Sequence, residues 1–400
     1  MNVKKLQSLI LTVLFLGTIF ILFVLHVITP DKEQSVLENR TLAKRPDFTF
    51  ERYISGEYSE RFDTYYSDQF PLRDRIVEVN AGINHNVFNQ DVFNDVFLAE
   101  DGYLLSRVIK QDEKAAEEVA TRINNFANEM AELDINIYTA IVPNKSTMME
   151  EKFPSYFPSY GHENLDMLLE KLASNTNKID TRDKLEKHKN EDYMFYYTDH
   201  HWQSKAAFYA YQVIMNKIIK NENMDEKIYE YDDYKWELEG KPFYGSDARK
   251  TTINIVEKSD QILVANLKGD HLPFEMRWGT KKREGLYDRT FLEMDEPYTN
   301  RYQAYMGGDY SLLTVHNFNK KEGLNTLVIK DSYANAFIQF LAPHYKEIHV
   351  MDLRHYKGKP IRDYVKDNDI DHIIILNNVN SIYVTPSLTN FDNPGQGDNQ

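Results

Sequence analysis

The sequence predicts an α/β fold, a parallel sheet flanked by helices. Three observations carry this. A helix-spaced segment (111–133) runs straight into a strand-like one (135–143). Toward the C-terminus, strand-like 325–332 and 346–354 are separated by helix-like 333–342. The segment "DHIIILNN" (371–378) is apolar on both faces, as a strand covered by helices on both sides should be.

Each element follows from its pattern. Ala115, Val119, Ile123, Phe126 and Met130 recur at helical spacing. "INIYTAIVP" (135–143) has the Ile, Tyr, Thr and Val content of a strand. "SKAAFYAYQVIMNKIIK" (204–220) reads as a helix. From about 225 to 320 the chain is rich in Tyr, Thr, Lys and Gly, with alternating pieces such as "KTTINIVEK" (250–258) and "YSLLTVHNF" (310–318). That stretch reads as a β-rich insertion. Then come "NTLVIKDS", "YANAFIQFLA", "KEIHVMDLR", a short helical piece near 360–368, and the apolar strand at 371–378. No long-period repeat is evident.

The first 30 residues read as a cytoplasmic tip and a transmembrane anchor. Lys4 and Lys5 precede a run from Leu6 to Ile28 that carries no formal charge apart from one that His26 can take up. About 20 apolar residues cross a bilayer as a helix. The lysines should stay cytoplasmic, so the remainder faces outward. A cleaved signal peptide is the other reading, but its apolar core usually spans ~7–15 residues and a small-x-small site should follow. The expected location is therefore the cell membrane, single-pass, with an extracellular domain. Residues 31–60 read as a polar stalk, 61–385 as the ectodomain with a break at Pro71, and 386–400 as a flexible tail.

Composition excludes several classes. The 400 residues are 42% hydrophobic, enough for one large core. The net charge of -15, from 62 acidic and 47 basic residues, repels phosphate backbones, so no nucleic-acid partner is expected. There is no cysteine, hence no disulfide, thiolate metal site or cysteine nucleophile.

Two short stretches carry chemistry. In "YYTDHHW" (196–202), Asp199 and His201 are two apart and share a face of an extended chain, while His200 points elsewhere. A carboxylate beside imidazole Nδ1–H fixes the tautomer and stabilises the cation. Other readings of the same residues are a helix cap from Thr198 or Asp199, packed core histidines, or two metal ligands. A metal needs further ligands, no HExxH-like companion exists, and none is expected. In "TLVIKDSYANAF" (326–337), a strand ends at Lys330 and a helix follows. Ser332 then stands at the sheet edge beside free backbone N–H groups, where nucleophilic serines stand in hydrolases. Alternatively, Asp331 or Ser332 only caps the helix.

The tetrad Asp199-His200-His201-Trp202 resembles the signature of the DHHW family of bacterial proteins. Further resemblance lies in "ENRTLAKRP" (38–46), "SDQFPLRD" (67–74), "VPNKS" (142–146), "GGDYSLL" (307–313), "IKDSYANAF" (329–337) and "VMDLRHY" (350–356). That family is similar to the SGNH-like proteins that O-acetylate alginate, in which the Asp–x–His pair precedes the serine. The resemblance implies a permuted SGNH-hydrolase-like fold, with Ser332 as nucleophile, His201 as general base and Asp199 as its orienter. It departs where Lys330 replaces the usual glycine of the elbow.

The function expected is O-acetyl transfer to a cell-surface or exopolysaccharide, without a cofactor. An acetyl esterase and a non-catalytic polysaccharide-binding or assembly protein are the alternatives. The resemblance also implies a multi-spanning membrane O-acyltransferase as acetyl donor. His200, Trp202, Lys145, Asp331, Tyr333, Arg354 and Asn377 are the expected substrate-facing residues.

Overall fold

The computed structural model describes residues 3–35, 40–269, 274–392 and 394. Part of the "ENRTLAKRP" match therefore lies outside the described residues. The chain forms two compact units, Met1–Phe93 with Arg249–Val256, and Asn94–Ala248 with Glu257–Gln400.

The first unit begins with helix α1 (Val3–Ile28), with a mean hydropathy of 2.8 in its most apolar stretch and none of that stretch buried in protein. At 1.5 Å per residue its 26 residues span roughly 39 Å. Its serine and threonine hydroxyls are satisfied internally. The hydroxyls of Ser8, Thr12 and Thr18 each donate to the carbonyl four residues back. The stretch read as a stalk contains a short helix (Phe50–Ile54), followed by α2 (Glu57–Asp68) and α3 (Arg73–Phe88). The α2–α3 break falls at 69–72, beside Pro71. Asp68 ties the unit together, accepting two bonds from Arg40 and one from the Ala43 N–H.

In the second unit α4 (Glu113–Ala131) is capped by Asp112, whose side chain accepts from Ala115 N–H. Val119, Ile123, Phe126 and Met130 of that helix are buried, as their spacing predicts. It leads into β1 (Asn136–Val142). Helices α5 (Gly161–Lys171) and α6 (Ser204–Glu222) follow, then a hairpin of β2 (Tyr234–Phe243) and β3 (Asp260–Leu267). Further strands are β4 (Phe274–Trp278), β5 (Lys281–Glu284), β6 (Leu312–Asn317), β7 (Asn325–Lys330), β8 (Glu347–Met351) and β9 (His372–Asn378). Helices α7 (Ile361–Asp367) and α8 (Val379–Val384) flank β9 in sequence.

Seven strands form the central sheet in the order β5-β4-β6-β8-β7-β9-β1. The pairs β8–β7, β7–β9 and β9–β1 are parallel; β5–β4, β4–β6 and β6–β8 are antiparallel. The sheet is thus mixed, which corrects the expectation of a parallel one. The strands of its antiparallel half come from the segment read as an insertion. The burial of β6 alternates, as in a sheet half-open to solvent, and an alternating strand reads the same in a separate β-domain. Within that segment, β2–β3 pair apart from the central sheet. The piece "KTTINIVEK" is helical at Ser246–Thr251 and Ile253–Ile255, not a strand. Position 252 has φ +75°, which breaks extended pairing there.

All seven residues of β9 are buried. On one face of the sheet, Ile137, Ile141, Leu327, Ile329, Ile373 and Ile375 pack against Val119, Ile123, Leu165, Leu168 and Val365. Each such side chain contributes roughly 1.5–3 kcal/mol by leaving water. The C-terminal end, expected to be free from 386, is packed as far as Phe391, whose ring stacks on Phe126 at 4.1 Å. Phe126 lies on the buried face of α4 and offers a flat apolar partner. Residues 393 and 395–400 lie outside the described residues.

The parallel half has one functional consequence. The C-terminal ends of β1, β7, β8 and β9 share an edge, where open α/β sheets bind ligands. Asp331 and Ser332 follow β7 at that edge, and Asp352 follows β8.

Candidate active site

The loop 196–201 is built by tertiary contacts. A bridge between Phe195 and Trp202 closes it, and Trp202 Nε1–H donates to the Tyr333 carbonyl at 2.9 Å. Asp260, the first residue of β3, accepts the N–H groups of Tyr197 (2.7 Å) and Thr198 (2.8 Å) and the Thr198 hydroxyl. Burial pushes the Asp260 carboxyl up to about 6, even against these donors. Lys145, 1% exposed, donates through Nζ to the carbonyl of Asp199 (2.6 Å), to Asp247 Oδ2 (3.1 Å) and to the carbonyl of Tyr197 (3.4 Å). A buried ammonium has three donors, and all three are used.

The turn Gly245-Ser246-Asp247 completes the cradle. Gly245 N–H donates to Thr198 Oγ1 at 2.9 Å, and Ser246 N–H to Asp199 Oδ2 at 3.0 Å. A Cβ on Gly245 would lie 2.2 Å from Asp199 Cβ, so only glycine fits.

At the centre, Asp199 Oδ1 lies 2.6 Å from His201 Nδ1 and accepts the His201 N–H at 3.0 Å. His201 Nε2 lies 2.7 Å from Ser332 Oγ. Burial pushes the Asp199 carboxyl up, but the neighbouring imidazoles of His201 and His200, with hydrogen bonds from His201 and the Ser246 N–H, hold it well below the usual carboxylate range. With Asp199 ionised, Nδ1 carries the proton, and Nε2 accepts from the serine hydroxyl. His200 turns away, with Nδ1 2.6 Å from Ser246 Oγ. Burial of the packed ring edge, then His201, push His200 down to about 4. Its side chain is 45% exposed, and the imidazole is neutral at pH 7.

Ser332 sits where β7 gives way to a 3-10 turn, Ser332–Ala336, and a short helix, Ile338–Leu341. Asp331 shapes that turn. Its Oδ1 accepts Tyr333 N–H at 2.9 Å, and its Oδ2 accepts Asn378 N–H (2.9 Å) and Asn378 Nδ2 (2.6 Å) from the end of β9. The Ser332 N–H has no acceptor among the described residues. Lys330, at the usual glycine position, is buried and pairs with Asp309 (2.5 Å) and Asp352 (3.4 Å). Arg354 joins the same network through Asp352 (2.5 Å) and Asp309 (2.9 Å).

Several expected substrate-facing residues are instead interior. Trp202, Asp331, Tyr333 and Asn377 are fully buried, and Lys145 is nearly so. A substrate has no access to them in this state. Lys145, Trp202, Asp331 and Tyr333 hold the loop and the turn, whereas the Asn377 amide has no hydrogen-bond partner among the described residues. Trp202 donates to the Tyr333 carbonyl, while Tyr333 OH donates to the His200 carbonyl at 2.6 Å. His200 and Arg354 reach solvent, and Ser332 is half-buried. Asp199, His200 and His201 have ligand atoms within 4.8 Å of one another, close enough for a metal ion. Both ring nitrogens of His201, however, already face Asp199 and Ser332.

Sequence reasoning missed Tyr302, Asp260, Asp309 and the Gly245-Ser246-Asp247 turn. Only the last had a local signal, a Gly-Ser-Asp run that starts a helix.

Residues 94–351 match the family described as DHHW protein. No curated protein matches the chain. Among solved structures, PatB1 of Bacillus cereus is 25% identical, with a TM-score of 0.64 over 75% of this chain and 100% of its own. The same protein with a sulfonyl adduct matches at 23% identity and a TM-score of 0.62, over 74% of this chain and 97% of its own. A DHHW family protein from Eubacterium siraeum matches at 23% identity and a TM-score of 0.59, over 74% of this chain and 93% of its own.

Proposed function

The chain belongs to the DHHW family, and on that premise we propose that it is a membrane-anchored O-acetyltransferase acting on an extracellular polysaccharide. One observation carries the reading: Ser332 Oγ, His201 and Asp199 stand in line at 2.7 and 2.6 Å. Side chains from two distant segments, 199–201 and 332, meet in the order that acyl transfer requires. The acetyl group and the polymer are taken from the resemblance to proteins of alginate O-acetylation. The anchor and its sidedness are taken from the length and apolarity of α1 and from Lys4 and Lys5.

In the proposed mechanism His201 Nε2 takes the Ser332 proton as Oγ attacks the acyl carbonyl. Asp199 holds the Nδ1–H and faces the imidazolium charge. The Ser332 N–H is free to meet the oxyanion. Collapse expels the donor's leaving group, which takes the proton from Nε2. A sugar hydroxyl then attacks the acetyl-serine, giving its proton to Nε2, and Ser332 Oγ leaves with that proton, which restores the neutral imidazole. A multi-spanning membrane acyltransferase would supply the acetyl group on the outer side. Water in place of the sugar would make the same site an esterase.

The test is complementation. In cells lacking the chain, the wild type restores acetylation of the surface polymer and Ser332→Ala does not. Acetylation restored by Ser332→Ala removes Ser332 from the chemistry and leaves a scaffolding role. Hydrolysis of a chromogenic acetyl ester that never diverts to added oligosaccharide supports the esterase.

A further inference from the structure

Tyr302 lies in a turn of the segment expected to be an insertion, yet its ring lies flat on His201. The ring centroids are 3.7 Å apart and the planes differ by 7°. Its hydroxyl donates to the Ser332 carbonyl at 2.9 Å and lies 3.3 Å from the Tyr333 carbonyl. One side chain thus touches both the imidazole and the turn that bears the serine. The turn itself is fixed. Arg301, fully buried, donates through its guanidinium to the carbonyls of Glu296 and Met294. Tyr302 is 2% exposed, and burial pushes its phenol well above the usual range, so it remains a protonated donor.

We propose that Tyr302 is a positioning residue for acyl transfer, holding Ser332 through its hydroxyl and stabilising the His201 cation through its ring face. This rests on the reading of Ser332 and His201 given above. His201 is 4% exposed, so the cation formed on proton transfer is shut off from water. Asp199 answers it on the Nδ1 edge. His200, neutral, lies 3.8 Å away at a tilt of 36°, and Tyr333 lies 5.3 Å away. Lys145 and Asp247 lie behind Asp199 and pair with each other. Of the groups facing the imidazole, Tyr302 presents a parallel π-face, which attracts a cation.

The test uses the full-length chain in detergent and phenylmethylsulfonyl fluoride. In that reaction the Ser332 Oγ–S bond forms, the S–F bond breaks and fluoride leaves. The serine proton passes to His201 and then to water. Labelling at Ser332 is followed by mass spectrometry across pH. Tyr302→Phe keeps the ring and loses the hydroxyl, so the rate falls roughly three- to tenfold with the pH midpoint unmoved. Tyr302→Leu loses both, so the midpoint moves down by roughly one pH unit and the rate falls further. A structural role alone would not separate the two variants by midpoint.

Wild-type rate and midpoint in a folded Tyr302→Leu overturn the cation role. Should that variant not fold, Tyr302→Trp replaces it and is expected to keep the midpoint; a downward shift there overturns the same claim. An unchanged rate in Tyr302→Phe overturns the hydroxyl role. A wild type whose Ser332 stays unlabelled overturns the reading of Ser332 itself, and this inference with it.

Discussion

At the residue scale, the site depends on a few atoms that cannot move. Asp199 is held on both oxygens, by His201 on one side and by the Ser246 N–H on the other. Gly245 makes that approach possible. Gly245→Ala would place a methyl 2.5 Å from Asp199 Oδ2, and carboxylate or backbone must give way. A displacement near 1 Å at a catalytic group costs on the order of a hundredfold in rate. We predict that loss in chromogenic acetyl-ester turnover, with the variant still folded by circular dichroism. Turnover at the wild-type level would show that the carboxylate position is not critical. The Asp–x–His pair and Ser332 were legible in the sequence because a spacing of two and a strand–turn–helix pattern are local. Asp260 and Tyr302 were not. They reach the site by tertiary packing, and a tyrosine among 27 carries no local mark.

At the scale of elements, the loop 196–201 is a guest of the β2–β3 hairpin. Asp260 binds the loop's N–H groups from the start of β3. Its raised pKa sets the sign of a pH effect. The unfolded carboxyl ionises near about 3.9, while the folded one holds its proton up to about 6. The folded form therefore binds more protons between these values. The stabilising contribution is full below about 3.9 and is lost as pH rises toward 6. The melting-temperature advantage of wild type over Asp260→Asn should widen as pH falls from about 6 to about 4. A constant difference over that range would contradict it. The central strands were legible because apolar runs survive any context. The antiparallel half of the sheet was read as a separate insertion, because alternation reports a half-buried strand but not the sheet it joins.

On the scale of the whole molecule, α1 is long and apolar enough to cross a bilayer by itself, and its hydroxyls are satisfied within the helix. An uncleaved anchor predicts that protein extracted from membranes retains residues 3–28 by intact mass. A mature N-terminus beyond Pro30 would identify a removed signal instead. The apolar run at the N-terminus was plain in the sequence. The packing of the C-terminal residues was not, since Leu388 and Phe391 are isolated apolar residues in a polar stretch. Only the groove beside Phe126 gives them a place.

The central claim is that the hydroxyl at 332 becomes acylated through His201. Incubation of the full-length chain with a chromogenic acetyl ester, followed by peptide mass spectrometry, tests it most directly. The account predicts an acetyl group on Ser332 in the wild type, none in His201→Ala, and discharge of the adduct by oligosaccharide. Ester turnover that persists undiminished in Ser332→Ala, with no acetyl on Ser332 in the wild type, would contradict it.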